Sequence, residues 1–140
     1  MSVVLGYDES PGAARALRIA VEVAAAFHER LVLVYGAAAP GPVGEEYASH
    51  YEAIRQTGRT GLEHAVTEAD RAGVPTVVEV IDDKPAHALI DAATRHAARV
   101  IVVGSWAESP IRGALLGSTP HKLLHMSTVP VLCVPPEEGG

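Results

Sequence analysis

The stretch with the clearest chemical potential is Gly104-Ser105-Trp106-Ala107, separated by nine residues from Gly117-Ser118-Thr119. A glycine at a strand's end lets a ligand approach the backbone. A Gly-Ser pair opening a helix offers N–H groups without intrahelical partners, a hydroxyl and the positive end of the helix dipole, all of which favour an anion. Two such elements flanking one long loop make a phosphate cradle. The same residues also have plainer uses, Gly104 as a turn and Ser118 as an N-cap, and spacing alone leaves both readings open.

Other reactive residue types carry less. His121 and His125 are four apart on one predicted helix, a spacing that can bind zinc. No Glu follows His121, so the metalloprotease pattern H-E-x-x-H is absent, and His125 reads better as a last-turn group complementing the dipole. No metal site is assigned. His28, His50, His64, His87 and His96 are scattered along helical stretches and read as solvated. Ser105 and Ser118 lack the G-x-S-x-G elbow of a nucleophile. No Lys precedes Gly117-Ser118 as in a P-loop, so fast phosphoryl transfer is not expected. Cys133 lies amid apolar neighbours and reads as a buried, inert thiol.

The Gly104–Ser118 region must be positioned by the elements around it. Short apolar runs at 3–7, 31–35, 76–81, 99–103 and 130–134 predict five strands, and the 31–35 run is continuous, as for a strand buried on both faces. Helical spacing covers 13–28, 45–72 (interrupted near Gly58 and Gly61), 86–98 and 117–126. Asp8-Glu9-Ser10-Pro11-Gly12 reads as turn and cap chemistry, Asp82-Asp83-Lys84-Pro85 as a turn, and Gly36 to Gly44 as a surface loop. Gly73-Val74-Pro75 is a helix stop. Alternation of strand and helix implies right-handed crossovers onto an open, doubly wound parallel sheet. Ligands of such sheets bind at the carboxyl ends of the strands where strand order reverses.

Composition bounds the function. The chain has 140 residues and a formal net charge of −6, which argues against non-specific binding to nucleic acid or an anionic membrane. At that length one domain spanning 1–140 is expected. Aromatic residues make up 4%, so the core must be aliphatic. A single cysteine excludes an internal disulfide and a Cys-cluster zinc site, and fits a reducing compartment. Met1 to Gly6 lacks the basic region of a signal peptide, and no apolar stretch reaches the roughly 20 residues of a membrane span. A cytoplasmic protein is the expectation.

The sequence resembles the universal stress protein family over nearly its whole length. The resemblance is carried by Val3-Val4-Leu5-Gly6-Tyr7-Asp8-Glu9-Ser10, by Pro85-Ala86, and most specifically by Val100 to Ser105 and Gly117-Ser118 through Val134-Pro135. The family's ATP-binding signature is G-x2-G-x9-G-[ST]. The resemblance implies a five-stranded parallel sheet of order 3-2-1-4-5, helices on both faces, and homodimers joined through the fifth strand. It also implies ATP, with or without magnesium, held by Asp8 on the sugar side and by Gly104, Ala107, Gly117, Ser118 and Thr119 around the phosphates. Three departures stand out: Ala107 replaces the middle glycine, Glu108 follows it, and Asp82-Asp83 occupy positions where an apolar residue and a glycine are usual. The functional expectation is a dimeric, nucleotide-binding stress-response module, with a dimeric interaction module that has lost the nucleotide, or a slow ATPase, as alternatives.

Overall fold

The computed structural model describes residues 1–7, 11–36, 60–81, 83–105 and 118–136. Strands β1 (Ser2–Gly6), β2 (Arg30–Gly36), β3 (Thr76–Ile81), β4 (Ala98–Gly104) and β5 (Val131–Val134) form one parallel sheet of order β3-β2-β1-β4-β5. Helix α1 spans Pro11–Phe27, α2 is described over 60–71, α3 spans Pro85–Arg95 and α4 spans Ser118–Met126. Fold class, strand order and element order match expectation.

Two-sided burial follows from the period-2 geometry of a strand. Val3 and Leu5 of β1, Leu31 and Leu33 of β2 and Val102 of β4 face one core, with Ala16, Leu17, Ala20 and Ala24 of α1 and Leu62, Ala65 and Ala69 of α2. The alternate residues Val4, Val32, Val34, Ile101 and Val103 face a second core, with Ala86, Leu89, Ala92 and Ala93 of α3 and Leu123 of α4. Every one of these side chains is at least 96% buried. Alanines line the inner stripes of α1 and α3, so few large side chains separate helix from sheet. That is how a chain poor in aromatics still closes its core.

α1 begins at Pro11, two residues before the expected start, because proline's fixed φ and missing N–H suit a first turn. Gly73 adopts φ +73° after α2, and Val74 donates to the Ala69 carbonyl at 3.0 Å, the left-handed stop expected there. His28 after α1 and Ala97 after α3 also take positive φ, 55° and 49°. Neither residue type signals this. Glu29 N–H reaching the Ala24 carbonyl at 2.9 Å shows the same wrapped stop at α1.

Ion pairs tie helix ends and loops to the sheet. Arg99 at the start of β4 donates through Nε and Nη2 to both carboxylate oxygens of Glu29, at 2.7–3.2 Å, and lies 4.2 Å from the Phe27 ring centroid. Arg95 makes a two-pronged contact with Glu79 of β3, whose Oε2 also lies 3.0 Å from His96 Nε2. His96 is therefore half-buried and bonded, not solvated as its helical position suggested. Bonding to Arg95, outweighing desolvation and aided by His96, lowers the Glu79 pKa.

A depressed carboxylate contributes stability above its ordinary value of 4.5, and that stability is lost as the pH falls below it. Glu79→Gln should therefore be less stable than the parent near neutrality and lose less on acidification to roughly pH 3.5. Urea midpoints of both proteins at the two pH values check this; parallel losses would count against it.

Candidate functional site

In a strand–helix–strand crossover the helix runs back against the strands, so its N-terminus lies at their carboxyl edge. The order β3-β2-β1-β4-β5 reverses direction between β1 and β4. The carboxyl ends of those two strands, Gly6-Tyr7 and Gly104-Ser105, are therefore the lips of the crevice. Each lip is pinned by one more ladder bond. Tyr7 N–H donates to the Val34 carbonyl at 3.1 Å, and Ser105 N–H donates to the Val134 carbonyl at 2.9 Å.

Gly104 stands against the first turn of α1. A Cβ placed on it would lie 3.0 Å from the Gly12 carbonyl carbon, 3.1 Å from its oxygen and 3.4 Å from the Ala13 nitrogen. Those neighbours are backbone and cannot rotate away, so glycine at 104 is required by a close approach. The glycine therefore has a packing duty at the mouth of the crevice, which seats the N-terminus of α1 directly against the end of β4. Gly12 is the residue the sequence reading missed: it lies in the first turn of α1, not in a connecting turn. Its signal was Pro11 before it.

The second helix terminus at this edge is that of α4, which belongs to the other face. Ser118 and Thr119 are its first two residues, followed by the buried Pro120. Proline third in the helix removes one N–H from the four that a first turn leaves without intrahelical partners. Neither α1 nor α4 has an acidic residue in its first turn, so no carboxylate there competes with an incoming anion. Arg15 of α1 donates to the Pro135 and Pro136 carbonyls at 2.7 and 3.1 Å, holding the segment after β5 beside the same edge.

Of the site residues expected from sequence, Gly104, Ser118 and Thr119 thus lie at strand or helix ends on the carboxyl edge. Asp8, Ala107 and Gly117 lie outside the described residues, as do Asp82, Glu108 and Trp106. Asp83 is described, and it follows β3, which β2 separates from β1. Its Oδ1 accepts the Lys84 N–H at 2.7 Å and lies 3.9 Å from His87 Nδ1. This carboxylate belongs to the turn that starts α3. Cys133 is half-buried, and burial pushes its thiol pKa up, so the thiolate is disfavoured.

A sequence model of the Universal stress protein family matches residues 1–135. The chain is 35% identical to Universal stress protein YxiE of Bacillus subtilis over 81 residues, a segment covering 58% of this chain and 55% of that one. The matched part is thus little more than half of either protein. A solved universal stress protein in complex with cAMP is 26% identical, with a TM-score of 0.76 and 96% of each chain covered. The universal stress protein from Archaeoglobus fulgidus in complex with dAMP is 23% identical, with a TM-score of 0.73; 96% of this chain and 97% of that chain are covered.

Gly104→Ala should cost about 1–3 kcal/mol, the usual range for overpacking against atoms that cannot yield. Denaturant unfolding measures this. Wild-type stability in the variant would mean that α1 shifts freely away from β4.

Proposed function

The chain belongs to the universal stress protein family, and on that premise we propose that it binds a nucleotide at the carboxyl edge of its sheet, between β1 and β4. The observation that carries this reading is the close packing of Gly104 on Gly12 at the point where strand order reverses. It brings the N-terminus of α1 to the crevice from one face while α4 opens at the same edge on the other. A helix N-terminus combines oriented N–H groups with a favourable dipole, which is what a phosphate needs. That a 26%-identical relative was solved with cAMP supports a nucleotide as the ligand class.

ATP is the ligand proposed first. Asp8 accepts hydrogen bonds from the ribose hydroxyls, and Gly104, Ala107, Gly117, Ser118 and Thr119 surround the phosphates. Magnesium accompanying the triphosphate offsets part of the phosphates' own negative charge. No Lys precedes Gly117 in P-loop fashion, so hydrolysis is slow at most and the protein acts as a cytoplasmic binding and signalling module in the stress response. A second reading, an interaction module without nucleotide, draws its support from Ala107 and Glu108 standing where the signature expects a glycine and a neutral or basic residue.

The working unit is a homodimer joined through β5. Among the described residues β5 pairs only with β4, and Leu132 on it is 38% exposed. An apolar edge strand invites pairing, and a two-fold axis lets it pair with its own copy. Leu124 and Met126 of the adjacent α4 add exposed apolar surface, at 54% and 50%.

Titration with Mg-ATP, ADP, AMP and cAMP, followed by Trp106 fluorescence and melting temperature, tests the site. A ligand at about 100 times its Kd should add about 2.7 kcal/mol of stability. An unchanged melting curve at millimolar ATP would sink the ATP assignment and favour the interaction module. Sedimentation at micromolar concentration tests the assembly: the parent chain should run as a dimer and Leu132→Lys as a monomer. A monomeric parent would remove the β5 interface.

A further inference from the structure

The His121–His125 pair on α4 lies outside the nucleotide reading, and its geometry goes beyond its spacing. The two imidazole rings have centroids 4.7 Å apart and an interplanar angle of 68°. Both residues are exposed, as is Lys122 between them. The backbone beneath them is fixed. Leu123 is fully buried in the second core, and the Ser127 N–H donates to the Leu123 carbonyl at 2.9 Å, carrying the helical ladder past His125.

Ring separation is the informative quantity. A divalent ion held at about 2.0–2.1 Å by one nitrogen of each ring sets the centroids about 4.5 Å apart at a right-angle bite, and about 5.2 Å apart at a tetrahedral one. The observed 4.7 Å places the two rings side by side, within the reach of one shared ion. Exposed rings can turn about their own bonds to aim their nitrogens, so the pair reaches a chelating arrangement without backbone movement.

From this we propose that His121 and His125 form a surface site for a divalent transition-metal ion, with Cu(II) as the best match. Imidazole nitrogens suit Cu(II), which stands highest in the affinity order of the first-row divalent ions. Among the described residues, no group of three or more His, Cys, Asp or Glu side chains stands ready to hold a metal ion. The site is therefore two-coordinate from the protein, with water completing the shell. Its exchange is correspondingly fast, as for a sensing or scavenging site rather than a structural one. The ion adds positive charge to the last two turns of α4, where the dipole favours it.

The test is calorimetric titration of the full chain with aqueous Cu(II), alongside His121→Gln and His125→Gln. Melting curves of the metal-free proteins show that both variants fold; the exposure of the two rings makes unchanged melting the expected result. Each substitution should weaken the tightest histidine-dependent phase by about tenfold or more. The Cu(II) electron paramagnetic resonance spectrum should also pass from two coordinated imidazole nitrogens to one. Equal affinity in parent and both variants, or an unchanged nitrogen count, overturns the proposal. So does a parent chain with no saturable binding below about 1 mM, since a two-histidine chelate should exceed that affinity.

Discussion

Enclosure of β1 is the constraint on which the rest of the molecule depends. The strand is paired along both edges, with β2 and β4, and its side chains alternate into two cores, one closed by α1 and α2 and the other by α3 and α4. A strand in that position can expose neither backbone nor side chains to water. Val3, Val4 and Leu5 are accordingly fully buried in sequence. The helices must then be divided between two faces, and the chain must leave β1 in one direction first and the other direction later. That change of direction opens the crevice at the carboxyl ends of β1 and β4. Location of the crevice is thus a consequence of burial, before any residue in it is considered.

Charge is distributed in keeping with that arrangement. The strong ion pairs of the described residues, Glu29 with Arg99 and Glu79 with Arg95 and His96, link the starts of β2 and β4 and the end of α3 to the sheet. They consume carboxylates and guanidinium groups in fixing elements to one another. At the carboxyl edge the first turns of α1 and α4 carry no acid.

Much of this was legible from residue order. The five apolar runs became the five strands, and the Gly104–Ser118 spacing fell on a strand end and a helix start. The misses share a cause. Pro11 and Gly12 looked like a turn because local propensity weighs them as breakers, yet the first helical turn tolerates both when β4 packs against it. His28 and Ala97 adopt left-handed backbone that neither residue type favours, because the tertiary path of α1 into β2 and α3 into β4 demands it. His96 looked solvated because its partner, Glu79, is set by packing rather than by helical period.

What the sequence by itself determined was periodicity: which segments are strands, which are helices, and that a parallel sheet covered on both faces must result. Periodicity acts through neighbours a few residues away, and it survives any change of distant context. What only the tertiary structure decided was contact across the fold. The approach of Gly104 to the Gly12 carbonyl joins residues on different elements, as does the seating of Glu79 on Arg95 and His96. The 4.7 Å separation of the His121 and His125 rings also depends on which face of α4 the core claims. These distances follow from how tightly small side chains let helix and sheet approach, a property of the whole packed interior that no local pattern encodes.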